Sequence, residues 1–149
     1  MADMRALQML LELEQRREDK AAAELAQVRQ TLQQQQQRLQ GMEQYRLQYL
    51  QQLQQRGNQG LHSHQFGQYH AFVGKLDAGV EQIHASLSKL QQVVEQRQQR
   101  WFAQRRKRQS VEHLLEQQRL RQQREAERRE QKLMDEFNSN KFARLKQSG

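Results

Sequence analysis

The sequence predicts an all-α fold: a long antiparallel two-helix coiled coil, a helical hairpin, with an unpaired C-terminal helical overhang. Three observations lead there. The 149 residues include no proline and 33 Gln, and Gln, Leu, Arg, Glu and Ala are all good helix formers. Only 35% of residues are hydrophobic, whereas a globular core of this length needs about 45–50%. The apolar residues that are present recur at alternating spacings of three and four, the signature of a narrow seam rather than a broad core face.

The first helix is expected at about residues 3 to 56. Its seam runs through Leu25, Val28, Leu32, Leu39, Met42, Tyr49 and Leu53, with polar Gln35 and Arg46 at intervening seam positions. Such polar positions cost stability and help to fix register. The run Gln33 to Gln37 sits inside the heptads and is read as solvated helix. A turn at about 57–62 follows, because the run from Arg56 through Gly57 and Gly60 to Ser63 is the one cluster of turn-forming residues between two periodic stretches. Ser63 is suited to cap a second helix at about 62 to 142. There the seam is Val73, Leu76, Val80, Ile83, Leu87, Leu90, Val94 and Trp101, with Arg97 as its polar member. Residues 143–149 are expected to form a frayed tail, and the whole of 1–149 a single coiled-coil domain.

Length and pattern together predict the overhang. At 1.5 Å per residue the helices would be about 80 Å and 120 Å long, so their far ends do not match. Pairing outward from the turn makes facing residues sum to about 118, which sets Leu7 opposite Val111 and exhausts the first helix near residue 115. Leu114 and Leu115 are also the last strong seam members before the nearly all-polar run Glu116 to Lys132. An overhang of roughly 25 residues follows from both arguments.

Charge is distributed unevenly along this hairpin. The chain has 25 Lys and Arg against 17 Asp and Glu, a net +8. Residues 97–132 alone carry 12 basic and 5 acidic side chains, nearly the whole excess. Arg105, Arg106, Lys107 and Arg108 form a block, and Arg119, Arg121, Arg124, Arg128 and Arg129 follow on the overhang. A solvated face, an acidic protein partner, a nucleic acid and an anionic membrane surface all remain compatible with that pattern. The aromatics gather elsewhere, at the turn-proximal ends: Tyr45 and Tyr49 on the first helix face Phe72 and Tyr69 on the second, with Phe66 beside them. A two-helix coiled coil hides only about two residues per heptad. Some of these rings are therefore exposed, either as a docking patch or as extra packing around a glycine-loosened turn.

Several classes of activity are excluded as expectations. Without cysteine there is no disulfide, thiolate metal site or thiol nucleophile. His62, His64 and His70 cluster near the turn but lack an acidic neighbour and a rigid frame, so no metal site and no cofactor is expected. No phosphate-cradling glycine loop, Ser-His-Asp set or pocketed carboxylate pair is present, so the protein is not expected to be an enzyme. No apolar run approaches the ~20 residues of a membrane span, and the start lacks the features of a signal peptide, which leaves a cytoplasmic location as the expectation.

Along nearly its whole length the chain resembles the FliJ family of flagellar type III export proteins. The resemblance rests on Glu18-Asp19-Lys20-Ala21-Ala22, on Leu39, Tyr45 and Tyr49 before a glycine-containing turn, and on Tyr69, Phe72 and Leu76 after it. It continues from Val94 to Arg100-Trp101 and is most specific in the segment from Glu127 to Phe137. The resemblance implies a non-catalytic stalk, cytoplasmic and peripheral at the cytoplasmic face of the inner membrane. Such a stalk inserts its terminus-bearing end into the flagellar export ATPase hexamer, promotes its assembly and activity, and links it to the cytoplasmic linker of the membrane export gate. Binding of export chaperones is implied as well, and nucleic acid is not. The family's gate-binding patch maps to Met42, Tyr45, Tyr49, Phe72 and Leu76, while Gly79, Ile83 and Arg38 depart from its pattern at the edges. A basic terminus-bearing end suits an acidic or ring-lining partner, which nominates Arg121, Arg124, Arg128 and Lys132 for ATPase docking. The equivalent stalk of a virulence injectisome, and a basic coiled coil that binds nucleic acid or tethers, are the alternatives.

Overall fold

A computed structural model describes residues 3–58, 60 and 63–148, and within them the chain forms two helices, α1 at Met4–Asn58 and α2 at Ser63–Ser148. Asp3 starts α1: its carboxylate accepts the backbone N–H of Arg5 at 3.3 Å and its carbonyl accepts that of Leu7 at 3.0 Å. This supplies partners at a helix end where the first N–H groups have none. At the other end Gly60 N–H donates to the Gly57 carbonyl at 3.4 Å, and Gly60 has a φ of 86°. That left-handed conformation is open to glycine without the clash a Cβ brings. α2 begins at Ser63, but the side chain that would cap it lies outside the described residues, as does His62. At its far end α2 stays helical to Ser148, through the stretch predicted to fray.

The chain divides into two compact units, Met1–Glu18 with Ala103–Gly149, and Asp19–Phe102. In the second unit the helices pair antiparallel along an unbroken heptad seam. Ala21, Leu25, Val28, Leu32, Gln35, Leu39, Met42, Arg46, Tyr49 and Leu53 of α1 are buried or half-buried. So are Tyr69, Val73, Leu76, Val80, Ile83, Leu87, Leu90, Val94, Arg97 and Trp101 of α2. Between seam positions most side chains are exposed, as expected when two helices bury only two positions in seven. The polar seam member Arg46 is matched by an ion pair with Asp77 of α2.

The first unit continues the same heptad phase with different chemistry. Leu7, Leu11, Glu14 and Glu18 of α1 meet Gln104, Arg108, Val111, Leu115 and Gln118 of α2. Two glutamates thus sit at buried seam positions, 6% and 8% exposed. A buried carboxylate is tolerated only when paired and hydrogen-bonded. Gln104 Nε2 donates to Glu14 at 2.5 Å on its carboxylate and 3.1 Å on its carbonyl. Arg108 Nε donates to Glu18 at 2.6 Å while its Nη1 reaches Glu112 at 2.5 Å. The hydrogen bond to Glu18 raises the Arg108 pKa above its ordinary value, with a smaller contribution from Glu112.

The register is centred later than the sequence predicts. α1 ends at 58 and α2 starts at 63, so facing residues sum to about 121 rather than 118, as Met42 with Gly79 and Tyr49 with Phe72 both do. The cause is two additional residues in α1 beyond Arg56 and a start of α2 one residue later than predicted. Leu114, expected in the seam, is exposed instead, and Leu115 alone holds that turn of the seam. The overhang is correspondingly sharp: every described residue from Arg119 to Ser148 is exposed.

Close packing singles out Gly79, where an added Cβ would stand 2.8 Å from Met42 Cε. The clashing atom is the end of a flexible side chain, so it can move aside. Replacing an interior helical Gly by Ala gains about 1 kcal/mol of helix propensity. Gly79→Ala is therefore expected to raise stability by up to about 1 kcal/mol, visible as a higher urea midpoint with an unchanged slope; a clear loss of stability would show that Met42 is locked in place.

Candidate functional site

Of the five residues nominated for gate binding, all in the second unit, Tyr45, Tyr49 and Phe72 come together as one ring cluster. Tyr49 is the hub: its ring lies 4.6 Å from Phe72, 5.1 Å from Tyr69 and 6.3 Å from Tyr45, centroid to centroid. Tyr45 packs edge-on against Phe72 at 6.2 Å. Such tilted and edge-on pairs are the favoured arrangements of aromatic quadrupoles. Met42 and Leu76 are half-buried in the seam alongside. The outer rings are open to solvent, Tyr45 by 50% and Phe72 by 36%. Heptad geometry explains this division. Tyr49 and Tyr69 occupy seam positions, whereas Tyr45 and Phe72 flank the seam and cannot be covered by a single partner helix.

The aromatic cluster has a polar border. The Arg56 guanidinium lies 5.5 Å from the centroid of the Tyr69 ring, a cation–π contact that leaves its charge at the surface. His70 packs edge-on against Phe66 at 4.6 Å, and His64 pairs with Gln68 at 3.4 Å. These two histidines are therefore engaged with ring and amide neighbours. Among the described residues no three His, Cys, Asp or Glu side chains converge to hold a metal.

The four residues nominated for ATPase docking lie in the first unit, all on the exposed stretch of α2. At about 100° per residue, Arg121, Arg124, Arg128 and Lys132 fall within a sector of about 80°, a single basic stripe. Upstream of it Arg119 is held by Glu116, with Nη2 to carboxylate 2.6 Å. That hydrogen bond holds the Glu116 carboxyl below the usual range. Arg108 is likewise occupied by Glu18 and Glu112 inside the helix pair. The basic excess of this region thus divides into side chains tied to neighbouring carboxylates and a stripe presented outward.

Two sets of residues on this unit escaped the sequence patterns. Glu14, Glu18, Gln104 and Arg108 form the polar layer of the seam; extending the heptad count backwards from Leu25 by sevens and by alternate threes and fours lands on both glutamates. The second set is apolar and exposed: Leu133, Met134, Phe137, Phe142 and Leu145, all on the overhang. A helical projection of residues 119–148 would have revealed it.

A family model described as Flagellar FliJ protein matches residues 4–147, close to the whole chain. No curated protein and no solved structure matches.

The division of labour within the aromatic cluster can be measured. Tyr49→Ala removes a ring with three aromatic neighbours and is expected to cost about 3 kcal/mol in urea unfolding, whereas Tyr45→Ala at the open flank is expected to cost about 1 kcal/mol or less. Equal losses would contradict the assignment of Tyr49 to the seam and Tyr45 to the surface.

Proposed function

The chain belongs to the flagellar FliJ protein family, which gives it a role connected with flagellar protein export, and from that premise we propose that it is the non-catalytic stalk of the flagellar type III export apparatus. In this role it inserts into the export ATPase ring through the exposed end of α2, promotes ring assembly and activity, and contacts the membrane export gate through the aromatic patch. Export chaperones are further partners. The chain works at the cytoplasmic face of the inner membrane, held there by its partners; among its described helices none is long and apolar enough to cross a membrane.

The observation that carries this proposal is the separation of two unlike exposed surfaces into two units: a basic stripe in one and an aromatic patch in the other. Neither surface has the enclosure that chemistry on a small substrate requires. Each has what protein docking requires. The stripe supplies long-range attraction for an acidic partner, which governs encounter rate and salt sensitivity. The aromatic patch supplies large rigid contact area at low entropic cost, the composition typical of interface hot spots.

Reversing the stripe with Arg121→Glu, Arg124→Glu, Arg128→Glu and Lys132→Glu is expected to weaken ATPase stimulation by roughly tenfold or more at low ionic strength, with the difference shrinking as salt rises. Stimulation that stays unchanged across a salt series would refute the docking assignment. Separately, Tyr45→Ala with Phe72→Ala is expected to abolish binding to the gate's cytoplasmic linker while leaving ATPase stimulation intact. Loss of both activities together with loss of helicity would count against a distinct gate-binding patch.

A further inference from the structure

The exposed overhang has a second face that carries large apolar side chains, with Glu130, Lys141 and Arg144 set among them. Leu133, Met134, Phe137 and Leu145 are each between 60% and 66% exposed. Leu133, Met134 and Phe137 line a shallow groove together with Glu130 and Asn140. Phe142 lies apart from this face, at the edge of the basic stripe, with the Lys146 ammonium 5.6 Å from its ring centroid.

This face is not the seam prolonged. Continuing the heptad phase beyond Gln118 reaches Gln122, Glu125, Arg129, Lys132, Glu136 and Ser139, all polar. At about 100° per residue, Leu133, Met134, Phe137 and Leu145 are centred about 130° away from that line, and nearly opposite the stripe of Arg121, Arg124, Arg128 and Lys132. A helix lying in the line of α1 would cover the polar seam positions and leave these side chains in water. Four large apolar residues within one 13-residue stretch of a helix otherwise dominated by charge are the pattern of an amphipathic docking helix, read as anchors at i, i+1, i+4 and i+12.

Charge selects the occupant. Residues 119–148 carry nine basic and five acidic side chains, a net +4. A second copy of the chain would bring the same excess against itself, and the apolar face is too small to offset that: four or five side chains fall short of the ~800 Å² per partner of a stable interface. A nucleic acid would have no use for an apolar face.

We propose that the face formed by Leu133, Met134, Phe137 and Leu145 docks into an apolar-floored groove on an acidic protein partner, with the basic stripe engaging the same partner from the other side of the helix. This rests on the ATPase docking proposed above and assigns it a second, salt-insensitive set of contacts. Burial of the apolar face supplies an attraction that salt does not screen, whereas the stripe supplies one that it does.

The test uses the full-length chain and the purified export ATPase of the same organism, with affinity measured at low and high ionic strength. Leu133→Ser combined with Phe137→Ser is expected to weaken binding at least tenfold at both salt concentrations without changing the helical content, while Phe137→Leu binds like the parent chain. Parent-like binding by the double variant would overturn the proposal while leaving the ATPase assignment standing. Failure of the parent chain itself to bind would instead overturn the ATPase assignment and this inference with it. Sedimentation of the parent chain as a dimer that the double variant converts to monomer would also overturn it, since the face would then be covered by a second copy.

Discussion

Everything in this molecule follows from the economy of a two-helix seam. When only one helix covers another, two positions in seven are buried and five are left in water. The buried positions here repeat without interruption from Leu7 to Leu53 on α1 and from Tyr69 to Gln118 on α2. The exposed surfaces are built largely from the side chains that the seam does not use.

The seam is not uniform, and its polar members fall into two kinds. Arg46 is half-buried and satisfied by Asp77 across the helix pair. Glu14 and Glu18 are more deeply buried; Gln104 of α2 holds the first together with Arg17 of α1, and Arg108 of α2 holds the second. An apolar layer would stabilise that stretch more, since removing charges from water is costly even when they are well paired. A polar layer instead penalises slippage: sliding either helix by one heptad would part Glu18 from Arg108 and Glu14 from Gln104. The first unit thereby fixes its register by hydrogen bonds where the second does so largely by packing, most closely at Met42 against Gly79.

The fold was legible in the sequence because spacing by threes and fours survives any uncertainty about individual residues. The aromatic patch was legible for the same reason, since Tyr49, Tyr69 and Phe72 could be placed opposite one another once the turn was located at Gly57 and Gly60. What escaped was set by finer geometry. Two further residues of α1 and a start of α2 one residue later shifted the register by about three positions, an error that element boundaries read from propensity cannot avoid, while Leu114 falls outside the seam because the heptad phase from Trp101 reaches Leu115. Glu14 and Glu18 were hidden because charge argues for solvent unless the partner is already known. The apolar face around Phe137 was hidden because its residues break the heptad phase, so a search for the seam passes over them.

The proposed function assigns two different protein neighbours to the two unlike surfaces, one to the α2 overhang and one to the aromatic patch. The most direct test is site-specific photocrosslinking in the intact cell, with a photoreactive side chain placed at Arg128 or at Tyr45 of the full-length chain. The expected result is capture of the export ATPase from position 128 and of the gate protein from position 45. Capture of the same protein from both positions, or of neither partner from either, would contradict the account.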